Sequence, residues 1–226
     1  MAKATRVRAA GTCRLVPSRY PAAGLLDRVA RPEDLPFLLE LESWSNDRIS
    51  TEHGILHRIP SEEWVIGRPM ASVIMAAFCH PRPGGSRFNG PDRGAWYAGL
   101  SVDTAHAEAV YHRTSELAEV GVFETRLQMR LYLADFDAPF HDVRSRRPEH
   151  TPLHDPRSYA ASQAFAREVF AIGSNGVIYR SVRHRAGVCI ACFHPALVGN
   201  VRPGSQFEYR WSGTRTPEIR KLPVRE

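Results

Sequence analysis

Between residues 86 and 140 the hydrophobic period of this chain changes twice, and no other feature restricts its possible folds so strongly. Gly94-Ala-Trp-Tyr-Ala-Gly99 is short and aromatic, as strands are. Ser101 can cap a helix that runs to about Glu119, because its hydroxyl can accept from an amide of the first turn. Along that helix Ala105, Glu108, Ala109 and His112 recur at spacings of three and four, and so share one face. Leu127-Gln-Met-Arg-Leu-Tyr-Leu133 then alternates apolar and polar residues, the pattern of a half-buried strand.

The flanking regions extend the mixture. Residues 15–80 read as mainly helical: Pro32-Glu33-Asp34 opens an apolar-periodic segment through Leu35, Leu38, Leu39, Leu41 and Trp44. A second helix is predicted from Met70 to Phe78, between Pro69 and the Pro81-Arg-Pro-Gly-Gly85 breaker. Residues 139–157 form a Pro-, Arg- and His-rich loop. A helix follows at about 158–172, then a turn over 173–176, strands at 177–179 and 188–193, and a final strand near 207–211. Helices and short strands alternate without a βαβ rhythm, so the class is α+β rather than doubly wound. With 226 residues the chain suits one domain: a flexible tail over 1–14, a helical region over 15–84, a core over 85–215 and a second tail over 216–226.

Composition excludes several classes. Hydrophobic residues at 43% and charged residues at 24% match an ordinary soluble protein, and no apolar run approaches the roughly 18 residues of a membrane span. The basic start lacks the apolar stretch of a secretory signal, which leads to an expectation of a cytoplasmic protein. The net charge of +6 fits either a solvated Arg-rich surface or an anionic small ligand. No long Lys/Arg run interleaved with aromatics points to direct nucleic-acid binding. Cys189-Ile-Ala-Cys192 has metal or redox spacing, but it lies in an apolar strand, where positions three apart face opposite sides. No second such pair completes four zinc ligands, so buried structural thiols are expected and no metal site.

GxSxG, HExxH, P-loop and GxGxxG motifs are all absent. What remains is a polar constellation among apolar neighbours. Arg87 precedes the first central strand, Tyr97 lies on it, and Glu108 is flanked by Ala105, Ala107, Ala109 and Val110. A Glu on a small-residue helix face either pairs with an Arg or lines a cleft. Spacing alone leaves both readings open. His112, one turn on, can orient Glu108 or simply pack.

Ser86-Arg-Phe-Asn-Gly90, Tyr97-Ala98 and Ala107-Glu108, separated by ten residues from Arg87 to Tyr97 and eleven from Tyr97 to Glu108, resemble the Gly-Arg-Trp-Asn … Tyr-Ala … Glu pattern of the RES domain family. These are toxins of bacterial toxin–antitoxin modules, named for an Arg, a Glu and a Ser. Asn175-Gly-Val-Ile-Tyr-Arg-Ser-Val182 is similar to the family's Asp-Gly-Ile … Pro-Ser segment, which puts its Ser at Ser181. Three positions depart: Ser86 replaces Gly, Phe88 replaces Trp, and Arg180 stands where Pro is usual.

The resemblance implies an ADP-ribosyltransferase-like split sheet with flanking helices, binding NAD as substrate and holding no prosthetic group. Members break the nicotinamide–ribose bond and pass ADP-ribose to water, to phosphate or to a protein. Catalysis would rest on Glu108, Arg87 and Tyr97. Glu108 would stabilise the ribosyl cation, while Arg87 would grip the pyrophosphate as a planar fork. Tyr97 would stack on nicotinamide and offer its hydroxyl to ribose or phosphate. Ser181, Asn89 and Arg180 would complete the dinucleotide contacts. The implied partners are NAD, inorganic phosphate as an acceptor and a cognate Xre-type antitoxin. Two other readings stay open, a protein ADP-ribosyltransferase and a non-catalytic basic binding module.

Overall fold

The computed structural model describes residues 2–18, 27 and 59–223. Within them seven strands form one mixed sheet: β1 (Ala4–Pro17), β2 (Trp96–Gly99), β3 (Glu124–Asp142), β4 (Gly176–Arg180), β5 (Val188–Cys192), β6 (Gly199–Ser212) and β7 (Glu218–Lys221). Three helices accompany it: α1 (Ala71–Cys79), α2 (Val102–Val120) and α3 (Ala160–Ala171). The strand order is β1-β2-β5-β4-β3-β6-β7, with a further β1–β3 pairing. The α+β expectation holds.

β3 is the axis, and its two edges are used differently. One edge pairs antiparallel with β1, from Ala4↔His141 to Pro17↔Met129. The other edge is shared. β6 takes its amino-terminal part, from Glu124↔Ser212 to Asp135↔Gly199, and β4 takes His141 and Asp142 in parallel. The sheet therefore splits along this edge, with β6–β7 on one arm and β4–β5–β2 on the other. The second arm returns to β1 through Cys13↔Gly99.

Alternation along β3 feeds both faces. Tyr132, Ala134, Phe136, Ala138 and Phe140 point into a core shared with Ile74, Phe78 and Trp96. Met129 and Leu131 point the other way, into a core with Phe207, Tyr209 and Trp211 under α2. A third cluster lies beneath α3, where Ala166 and Val169 meet Phe88, Tyr179 and Cys189. Each fully buried large side chain contributes about 1.5–3 kcal/mol relative to exposure.

Several expected boundaries shift. Residues 4–14 are strand rather than a flexible tail, because β1 finds its ladder on β3, far along the chain. Residues 218–221 are likewise a strand, β7, paired with β6 instead of a tail. β3 continues to Asp142 and so absorbs the start of the expected loop, within which residues 148–154 form a 3-10 turn. The helix from Met70 and the one at 158–172 appear as α1 and α3. The segment from Leu35 to Trp44 lies outside the described residues. No helix among the described residues is long and apolar enough to cross a membrane.

Candidate active site

Glu108 and Ser181 meet where α2 crosses the end of β4. Ser101 caps α2 as expected, accepting from the Thr104 amide at 3.2 Å. Glu108 lies one turn beyond Thr104. The Ser181 hydroxyl donates to Glu108 Oε1 at 2.6 Å. Its own oxygen accepts from the Arg183 amide at 3.1 Å and the His184 amide at 2.9 Å. With two amides on its lone pairs, the hydroxyl has one direction left for its proton, and the carboxylate takes it. Cys189 Sγ lies 3.9 Å from the same oxygen. Burial and the charge of Glu108 push that thiol up, so it stays protonated.

Among the described residues Glu108 forms no ion pair; Ser181 and Cys189 are its polar contacts. Of the two sequence readings of the residue, pairing with an Arg is not seen among the described residues.

The β4–β5 connection is locked onto α2. Ser181 N donates to Gly187 O at 2.8 Å, and Thr104 Oγ1 lies 2.9 Å from His184 Nδ1. A Cβ at Gly187 would fall 2.7 Å from Thr104 Oγ1, so glycine is what permits this approach. Sequence reasoning missed Thr104 and His184. Thr104 could have been noticed from its position four residues before Glu108.

Arg87 is 7% exposed and has no carboxylate partner among the described residues. Its Nη1 donates to Leu153 O at 3.0 Å and Asp155 O at 2.9 Å, and its guanidinium sits 4.8 Å from the Tyr159 ring centroid. Nε and Nη2 form no hydrogen bond with a described residue. The fork is thus positioned by backbone carbonyls, with no carboxylate among the described residues to offset its charge. Arg180 also lacks a hydrogen-bond partner among the described residues, and its Nε is shielded from solvent. Both guanidiniums bear on His154, whose pKa is lowered mainly by burial and further by Arg180 and Arg87.

Tyr97 and Asn89 are hydrogen-bonded to each other and to the turn that carries Arg87. The Tyr97 hydroxyl accepts from Phe88 N at 2.9 Å and donates to Asn89 Oδ1 at 2.8 Å. Burial pushes its pKa up, keeping it a neutral donor. Asn89 Nδ2 donates to Gly90 O at 2.7 Å and Arg93 O at 2.9 Å. Gly85, at φ +72°, closes the same turn. These bonds tie both side chains to the backbone on either side of Asn89, next to Arg87 in the chain. His112 does not orient Glu108 either; its Nδ1 faces Arg82.

The two CxxC thiols separate as strand geometry requires: Cys189 joins the core under α3, and Cys192 the core beneath α1. No cluster of His, Cys, Asp and Glu able to hold a metal occurs among the described residues. A groove of about 690 Å³ runs along α2, lined by Ala107, Tyr111 and Ser115 of the helix and by Val182, Arg183 and Arg215.

The model of the RES domain matches residues 55–212. The chain belongs to the RES domain family. The matched span starts upstream of residue 85 and takes in α1 and Glu63. In this RES domain Glu63 pairs bidentately with Arg93 and also meets His194 Nδ1 at 3.1 Å, tying the upstream segment to the turn that follows Arg87. The chain is 26% identical over 204 residues to the uncharacterized protein y4oC of Sinorhizobium fredii (strain NBRC 101917 / NGR234), across 89% of this chain and 83% of that relative. It is similar to a chain of the M. tuberculosis MbcT–MbcA toxin–antitoxin complex at a TM-score of 0.47 and 11% identity, over 90% of this chain and 86% of that one.

Proposed function

We propose that this RES domain cleaves the nicotinamide–ribose bond of NAD in the cleft at Glu108, and that it acts as the toxin of a toxin–antitoxin module. The observation that carries the reading is a carboxylate held by Ser181 and Cys189 with no cation among the described residues, while Arg87, whose charge acts on Tyr179 and Cys189 as that of Glu108 does, and Arg180 have no carboxylate among them. That separation of charge fits a ligand with an anionic pyrophosphate at one end and a developing cation at the other.

In the reaction the bond between C1′ and the pyridinium nitrogen breaks, and its electron pair leaves with neutral nicotinamide. Positive charge grows at C1′ and the ring oxygen. A fixed carboxylate attracts that charge more in the transition state than in the ground state. Ser181 and the Cys189 thiol hold Glu108 in place, so little reorganisation accompanies the step. Water or inorganic phosphate then adds to C1′, giving ADP-ribose with loss of a proton or its 1″-phosphate. The partner would be a cognate antitoxin of the Xre type, and the site of action the cytoplasm, where the substrate is.

The test is incubation of the purified protein with NAD, with and without inorganic phosphate, and identification of the products. Release of nicotinamide without any acceptor protein is expected, and E108Q should slow it by at least about a hundredfold. Turnover by E108Q at the wild-type rate, or nicotinamide release only when an acceptor protein is present, would overturn the assignment.

A further inference from the structure

One helical turn beyond Glu108, burial and the arginines around His112 favour its neutral form. Arg82 Nη1 lies 2.9 Å from His112 Nδ1. A guanidinium only donates, so Nδ1 accepts and the ring proton resides on Nε2. That Nε2–H makes no hydrogen bond with a described residue. Burial, then Arg82, Arg113, Arg183 and Arg87, lower the ring to about 3, which keeps it a neutral imidazole at ordinary pH.

The surroundings are built to stay in place and to remain cationic. Arg82 Nη2 donates to Glu116 Oε1 at 2.9 Å, and Arg113 Nη1 reaches Glu116 Oε2 at 2.7 Å. Arg183 lies over the Tyr111 ring, 3.3 Å from its centroid, and donates to Pro156 O at 2.8 Å. Glu116 is thus the carboxylate that ties down Arg82 and Arg113, while Arg183 and Arg87 bind backbone carbonyls and rings. Glu108, on the same helix face, is engaged by Ser181 and Cys189. A neutral, directional donor within such a basin suits an anionic oxygen.

We propose that His112 is a substrate-binding residue whose Nε2–H, together with Arg183, takes an oxygen of a phosphate group beside Glu108. The inference rests on the reading of the cleft as an NAD site. The phosphate belongs either to the dinucleotide or to inorganic phosphate arriving as acceptor, and both present the same oxygens.

H112F keeps a ring in the helix face and removes the donor; H112Q restores an N–H near Nε2. Melting temperatures of both, measured alongside wild type, establish that they fold. If the phosphate is the dinucleotide's, H112F raises KM for NAD and the Kd of ADP-ribose on the order of tenfold, with kcat little changed. H112Q then recovers part of the loss. If the phosphate is the acceptor, those constants stay put and the inorganic phosphate needed for half-maximal rate rises by a similar factor. A folded H112F that matches wild type in all three overturns the proposal, as does an H112Q that is no better than H112F. Because ADP-ribose binding is read by calorimetry without turnover, a wild type that binds it yet leaves NAD intact overturns the assigned reaction and not the role of His112.

Discussion

Ser181 holds Glu108 through a single 2.6 Å hydrogen bond whose direction is set by two amides, those of Arg183 and His184. On the proposed reading of the site the serine acts through the carboxylate, and its loss should show in the rate more than in affinity. In S181A kcat should fall about ten- to a hundredfold with KM for NAD within a few-fold, as expected for a misplaced catalytic group. Steady-state kinetics on the purified variant checks this. A rise in KM at constant kcat would mean that Ser181 grips the ligand instead.

Tyr97 presents the opposite case. Removing its hydroxyl strands the Phe88 amide and Asn89 Oδ1, each of which has lost a partner inside the protein. Y97F should therefore destabilise the fold by about 1–3 kcal/mol, read as a lower denaturant midpoint. Full stability combined with a collapse of kcat would place the hydroxyl on the substrate.

Gly187 is set by Thr104. A methyl at this position would meet Thr104 Oγ1 at 2.7 Å and Cγ2 at 2.8 Å, on the first turn of the helix that carries Glu108. G187A should cost about 1–3 kcal/mol and lower kcat, because the connection holding Ser181 lifts from α2. G187A/T104S, which clears one of the two clashing atoms, should recover part of both losses. No recovery in a thermal melt would count against the contact.

The acid limb of stability should carry a contribution from Glu63. Its hydrogen bonds to Arg93, followed by that to His194, hold its carboxyl below the ordinary value of 4.5 despite partial burial. Below about pH 4.5 the unfolded chain takes up this proton before the folded one does. The stabilisation is thus complete above that pH and disappears as pH falls through the depressed folded value. E63Q should flatten this part of the stability-against-pH profile. Parallel profiles for E63Q and wild type in denaturant titrations would rule the linkage out.

The parts of the fold visible in the sequence are those set by neighbours a few residues apart. The cap at Ser101, the face shared by Ala105 and Glu108, and the alternation at Leu127–Leu133 are local patterns, and each appears where its period places it. β1 carries Arg6 and Arg8 among small residues and has no marked pattern of its own. It becomes a strand because β3, more than a hundred residues away, offers it an edge. The site divides in the same way. Arg87, Glu108 and Ser181 were legible as residue types at matching intervals. The partners that decide their roles were not, since Asn89 with Tyr97, Arg82 with His112 and Thr104 with His184 meet only through packing.

The split along β3 also sets an order of events during synthesis. Glu108 and β3 leave the ribosome well before Ser181, which lies 73 residues further on and arrives with the arm that pairs with the far end of β3. Until that arm docks, Glu108 has neither Ser181 nor Cys189 beside it. A nascent chain is therefore without its assembled centre for most of its translation, and a truncated product ending before residue 181 never acquires one.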